Sequence, residues 1–279
     1  MCQGATEAVR RFGAGLVQNQ REMRLRLIRH ATLLVGLAGR RLLVDPMLDP
    51  QGRRPPVANT PDDRRNPLCE LPEPAEVLVS RLDGILVTHL HADHLDDTAV
   101  DLLPKGLPLL CQPPDEGILR DRGFADVRPV EATLDWDGVT VARTGGRHGT
   151  GAIGDAMAPV SGFVLSAPGE PVLYLAGDTV WCDEIRAALD EHRPDVVVVN
   201  AGGARLEEGD PITMTAGEVV AVAGHAPQAA VVAVHLEAVN HCLETRADLR
   251  QRLHAEGLAG RVTVPEDGAL VPVESIPPR

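Results

Sequence analysis

The chain has 279 residues, 44% of them apolar, and a formal charge of −13. That is long enough to bury a sizeable core, as one large domain or two small ones, and too apolar for a disordered chain. The acidic balance argues against nucleic acid or an anionic membrane as partner, because both call for a cationic face, but bound cations would still admit a small anionic substrate.

Residues 1–22 are polar, with three glutamines and weak helical periodicity, and read as an N-terminal extension ahead of a domain spanning 23–279. They lack the apolar stretch of a signal peptide. Alternation over 23–28, the apolar 33–35, a Gly-Leu-Ala-Gly turn at 36–39 and the apolar 42–44 predict strand, strand, turn, strand. Residues 51–74 are rich in Pro, Arg and Asp, a loop long enough to rim a pocket. Further strands are expected at 84–88, 107–111, 139–144, 161–166, 172–176, 196–200, 230–234 and 261–264. Helices are expected at 96–103, 115–122, 181–191, 216–223 and 246–256. Thr215 and Glu218 have capping-box spacing, and Gly257 closes the last helix. Strands mixed with helices throughout mean a layered α/β domain. No apolar run approaches the roughly 20 residues that span a bilayer. Five scattered cysteines without a CxxC fit a reducing cytoplasm and not a disulfide framework.

The chemistry is concentrated at 85–96, ILVTHLHADHLD. An apolar strand ends at Thr88, and in extended chain residues two apart face one side, so His89 and His91 can point at one metal. A turn into helix would swing Asp93 and His94 toward a second position nearby. Imidazole with carboxylate suits Zn²⁺ and related first-row ions. From this composition HxHxDH would arise by chance on the order of once in a thousand such chains. The bland alternative, solvated loop histidines, fits poorly with a position at a strand's C-terminal end, where α/β sites lie.

HxHxDH after an apolar strand resembles the metallo-β-lactamase superfamily of binuclear metallohydrolases. The segment RLRLIRHATLLVGLAGRRLLVDP is similar to the branch containing ascorbate-6-phosphate lactonase and related metal-dependent hydrolases, and the resemblance spans about residues 23–272. It implies a four-layer αβ/βα sandwich with two mixed sheets. It also implies His89, His91 and His148 on a first metal, Asp93, His94 and His235 on a second, and Asp178 with a water or hydroxide between them. Each has a fitting context. His148 lies in a Gly-rich loop after the strand ending near Thr144, Asp178 follows VLYLA with Gly177 easing the turn, and His235 directly follows AAVVAV.

Other positions are more open. Asp45 in LLVDP matches the family's buried aspartate behind the ligands, or is a turn aspartate before Pro46. His30 matches a family histidine near the pocket and is read as pocket wall or as a residue behind the ligands; Arg29 stands before it, where the family more often has Gly. Asn200 either donates to substrate or holds a loop. Glu237, Asn240 and His241 line the site, order the loop or cap the last helix, and His225 reads as a helix-end histidine. The resemblance implies two divalent ions, Zn²⁺ first and Mn²⁺ or Fe next, with Asp93 and Asp178 catalytic. The expected reaction is hydroxide attack on a small ester, lactone, amide or phosphorylated metabolite. The alternatives are a phosphodiesterase or nuclease, or an iron-dependent redox protein, on the same scaffold. A small molecule is the expected partner, with no membrane and no nucleic acid, and self-association into a homo-oligomer stays open.

Overall fold

The computed structural model describes residues 23–157 and 159–273, so the extension expected at 1–22 lies outside the described residues. Arg24–Arg29 (β1), Thr32–Leu37 (β2) and Arg40–Val44 (β3) form an antiparallel meander. The reversal into β3 takes only Ala38 and Gly39, both at positive φ, the hand that matches strand twist. The turn is therefore shorter than the four residues expected, and Gly36 pairs within the sheet with Arg41.

Ala75–Leu78 (α1), Gly84–Val87 (β4), Asp97–Leu102 (α2), Leu109–Cys111 (β5), Glu116–Asp121 (α3) and Val127–Pro129 (β6) follow, with β4 to β6 added to β3 in parallel. Next come Thr133–Trp136 (β7), Val139–Thr144 (β8), Gly151–Met157 (α4), Gly162–Ser166 (β9), Leu173–Leu175 (β10) and Asp183–His192 (α5). Val196–Asn200 (β11), Ala216–His225 (α6), Ala230–Val234 (β12), Arg246–Ala255 (α7), Val262–Thr263 (β13) and Leu270–Val271 (β14) complete the described chain. The capping box of Thr215 and Glu218 is present at α6, and Gly257 at φ +69° follows α7.

Two seven-stranded mixed sheets result, ordered β14-β1-β2-β3-β4-β5-β6 and β13-β12-β11-β10-β9-β8-β7. Their inner faces share one apolar core, in which Leu25, Val44 and Leu86 of the first sheet join Phe163, Val198 and Val232 of the second. The second sheet's outer face is covered by α5, α6 and α7 through Ile185, Val219 and Leu249. The first sheet's outer face is covered by α1 to α3 through Leu78, Ala99 and Leu119. This is the four-layer αβ/βα sandwich expected. No helix among the described residues is long and apolar enough to cross a membrane.

The strand β7 turns into β8 through Asp137 and Gly138, both at positive φ, and buries Trp136 between the sheets. A side chain on Gly84, the first residue of β4, would meet that indole, since its Cβ would lie 2.6 Å from Trp136 Cζ2. Gly84→Ala is expected to destabilise the protein by about 1–3 kcal/mol, as overpacking of a filled core does. Urea unfolding that gives the substituted protein an unchanged midpoint would refute this.

Strand direction gathers the chemistry. Across two antiparallel steps β1 runs parallel to β3 and β4, and β8 likewise runs parallel to β10, β11 and β12. The chain therefore leaves all seven strands at the same end of its sheet, and these two ends adjoin. His30, Asp45, His89, His148, Asp178, Asn200 and His235 all lie at or just beyond those strand ends.

Candidate metal centre

Beyond β4 the chain turns through 91–95, with His94 N and Leu95 N donating to His91 O, and α2 begins only after Asp96 caps it. Asp93 and His94 thus project from a turn ahead of the helix. His89 Nε2 lies 2.9 Å from His91 Nδ1, which lies 3.3 Å from His148 Nε2. Nitrogens bound tetrahedrally at Zn–N of about 2.0–2.1 Å sit roughly 3.3–3.4 Å apart, so the trio has close to the right spread for one ion. The outer nitrogens of two of them are already engaged. His148 Nδ1 donates to Ile212 O at 2.8 Å, and His89 Nδ1 lies 3.2 Å from Thr88 Oγ1, which itself donates to Asp45 Oδ2. The inner nitrogens are left as lone-pair donors.

A second group holds Asp93, His94 and His235, with His30 joining it. His94 Nδ1 donates to Asp45 Oδ2 at 2.8 Å, and Asp45 also accepts Thr88 N, so Asp45 stands behind the histidines as the resemblance implied. His235 is fixed by its N–H to His30 O, and its Nδ1 lies 3.5 Å from Cys242 Sγ. The Nε2 atoms of His94 and His235 are buried with no partner at a hydrogen-bonding angle among the described residues. Buried orphan nitrogens of this kind, facing carboxylates, fit a divalent cation.

Asp178 stands between the groups. Its Oδ2 is 3.2 Å from His94 Nε2 and 3.5 Å from His148 Nε2, and its Oδ1 is 3.3 Å from His235 Nε2. Gly177 at φ +70° permits this, because a Cβ there would come 2.8 Å from Ser161 O. Burial alone would raise the Asp178 and Asp93 carboxyls, yet the facing imidazoles, His235 and His94 foremost, hold both well below the usual range. Burial would lower His94 and His235, yet the carboxylates, led by Asp178, hold both well above the ordinary histidine value. Without a cation, then, protons on these two rings offset the buried negative charge.

Three positions are placed differently from expectation or are resolved among alternatives. Of its two readings, His30 takes the place behind the ligands: it is fully buried, its Nε2 3.2 Å from Asp93 Oδ2 and its ring 3.6 Å from that of His235. A positive φ at the β1–β2 turn aims it inward. Asn200 stands behind Asp178, its Nδ2 donating to Asp178 Oδ1 at 2.6 Å. The cluster after His235 divides its roles. Glu237 accepts from Arg246 at the start of α7, Asn240 binds Asn66, Val57, Thr60 and Asp62 of the 51–74 loop, and His241 lines a cavity at the site. His225 pairs with Asp190 instead. Thr88, which ties Asp45 to His89, went unrecognised in the sequence; its place just before HxH was the available signal.

The cavity, about 360 Å³, has Asp93, His91 and His148 at one wall. The 51–74 loop supplies Arg54, Pro55, Pro56 and Val57, and Met157, Leu206, Ile212 and Val239 add further apolar surface.

Residues 40–236 match the family model described as the beta-lactamase superfamily domain. The chain is 37% identical over 250 residues to the Bacillus subtilis UPF0173 protein YddR, covering 88% of this chain and 98% of that one. A structure described as a possible metal-dependent hydrolase from Veillonella parvula superposes with a TM-score of 0.87 at 33% identity, over 90% of this chain and 99% of that chain. An isothiocyanate hydrolase from Delia radicum gut bacteria does so with a TM-score of 0.86, also at 33% identity, over 91% of this chain and 100% of that chain. With the donor groups gathered at the strand ends of a four-layer sandwich, these likenesses show that the chain belongs to the metallo-β-lactamase superfamily, as a metal-dependent hydrolase.

Proposed function

We propose that the chain is a binuclear hydrolase of a small, uncharged electrophile. The observation that carries this reading is the pair of donor groups flanking Asp178: His89, His91 and His148 on one side, Asp93, His94 and His235 on the other. The mixed imidazole–carboxylate donors suit Zn²⁺ first, then Mn²⁺ or Fe. When bound, such ions bring the pKa of a water toward neutrality and polarise the electrophilic centre. The chain's own residues do the rest. Asp178 supplies negative charge shared by both groups. Asp93, steadied by His30 and facing the cavity, orients the attacking water and takes its proton. Asp45, Thr88 and the Ile212 carbonyl fix the tautomers of the ligand histidines. Plasma-emission analysis is expected to find close to two transition-metal ions per chain. No bound metal after expression with added Zn²⁺ or Mn²⁺ would sink the reading.

Two findings support an uncharged substrate over a phosphorylated metabolite or a phosphodiester. The cavity wall is largely apolar, and Arg54, the one guanidinium on it among the described residues, is ion-paired with buried Asp49 at 2.7 Å. The related isothiocyanate hydrolase supplies a specific candidate. Water adds through oxygen to the central carbon of R–N=C=S, the two water protons pass to nitrogen, and the R–N to carbon bond breaks, giving R–NH₂ and COS. Metal-loaded protein is expected to turn over benzyl isothiocyanate or p-nitrophenyl acetate well ahead of bis(p-nitrophenyl) phosphate. A preference for the phosphodiester overturns this substrate class.

A further inference from the structure

His241 belongs to neither donor group, yet it is 6% exposed, lines the cavity and has its ring 6.4 Å from that of His235. Among the other polar residues lining the cavity, Asn66 is bonded to Asn240, and Arg54 is ion-paired with buried Asp49 at 2.7 Å, though its Nη2 is buried without a hydrogen-bond partner among the described residues. His241 Nδ1 is buried without a hydrogen-bond partner among the described residues, and the ring has no carboxylate paired with it as Arg54 has. The backbone here is tightly held. His241 O accepts Arg205 N at 3.0 Å, and the preceding Asn240 is bonded on several sides to the 51–74 loop. A buried, rigidly placed imidazole that has no partner on Nδ1 and lines the same cavity as Asp93 is what a substrate contact requires.

We propose that His241 is a catalytic residue that donates a hydrogen bond from Nε2–H to the heteroatom of a substrate seated in this cavity. The proposal rests on the hydrolytic reading above and assigns its specificity contact. The choice of nitrogen follows from the surroundings. A neutral imidazole carries one N–H, and placing it on Nδ1 would bury a donor with no acceptor, the costlier of the two orphan arrangements. The proton therefore sits on Nε2, the nitrogen left to reach an occupant. Burial pushes the ring down to about 4, which keeps it neutral at pH 7. The apolar residues Pro55, Val57 and Val239 take the substituent, while His241 faces the polar end beside Asp93. In an isothiocyanate that end is the sulfur or nitrogen on which charge builds as the central carbon is attacked.

The test uses full-length, Zn²⁺-loaded protein with His241→Leu and His241→Gln. Benzyl mercaptan is the binding probe, because its sulfur accepts a hydrogen bond and its ring suits the apolar wall. Calorimetry is expected to show binding weakened about 10-fold by His241→Leu and restored to within about 3-fold by His241→Gln, whose amide nitrogen mimics Nε2. Metal content should match wild type in both. With benzyl isothiocyanate, His241→Leu should lower kcat/KM by about 10–100-fold. Equal binding by wild type and His241→Leu, no recovery in His241→Gln, or loss of metal from His241→Leu each overturn the proposal. If wild type turns over none of the substrate panel, the substrate reading fails, and the thiol comparison still decides His241.

Discussion

Asp178→Ala is expected to cost far more activity than His30→Ala: at least about 10³-fold, against the ~10–100-fold usual when only an outer partner of a ligand is removed. The difference follows from where each side chain stands. Both Asp178 oxygens face donor nitrogens, Oδ2 toward His94 and His148 and Oδ1 toward His235, so the carboxylate is common to both groups. Without it, two cations would face each other across a buried, low-dielectric space with no shared negative charge, where their repulsion is least screened. Asn200 Nδ2 would also lose its acceptor. His30 acts through others: its loss removes one hydrogen bond from Asp93 and the packing against His235, and leaves the other donors in place. Kinetics on whichever panel compound is turned over, with metal content measured in parallel, decide the matter. Equal or reversed losses would mean that the shared carboxylate lies elsewhere.

Much of this arrangement was legible in the sequence because it is written in strand ends. Apolar runs that stop at a histidine or aspartate, as at Thr88, Ala176 and Val234, mark buried strands delivering a polar side chain to one edge. Long strands and capped helices were legible for the same reason of pattern. What stayed hidden was either short or non-local. The strands β6, β7 and β14 have two to four residues, too few to show a period, and Val127–Pro129 is held by pairing with β5. The helices α1 and α4, of four and seven residues, are also too brief for an amphipathic stripe. Asn200 could not be matched with Asp178 because the pair meets only when β10 and β11 lie side by side. The two readings of His30 could not be separated, since nothing local shows that the β1–β2 turn points into the protein. The roles of Glu237, Asn240 and His241 likewise depend on distant partners, Arg246 for the first and the 51–74 loop for the second.

On the binuclear reading proposed above, His235→Ala is expected to lower metal content by about half and remove nearly all activity, whereas His225→Ala should change neither. His235 directly ends β12, is fully buried, and has its main chain tied to His30 O, so its ring is held by rigid elements. Its Nε2 has no partner at a good angle, yet lies 3.3 Å from Asp178 Oδ1 and 3.6 Å from Asp93 Oδ2, a nitrogen aimed between two carboxylates. Replacing it by alanine leaves the second group only Asp93 and His94 of its own beside the shared Asp178, with a single nitrogen donor, so its ion is held more weakly than the first group's. The first group, His89, His91 and His148, keeps its three nitrogens. Metal content should therefore fall by roughly half while the remaining ion stays bound. His225 offers the contrast within the same residue type. It sits at the end of α6 with Nε2 2.9 Å from Asp190 and its ring against Trp181, away from the strand ends. Plasma emission on the two purified variants, read beside wild type, separates the cases. Full metal in His235→Ala, or a loss in His225→Ala, would show that the second group is built from other residues.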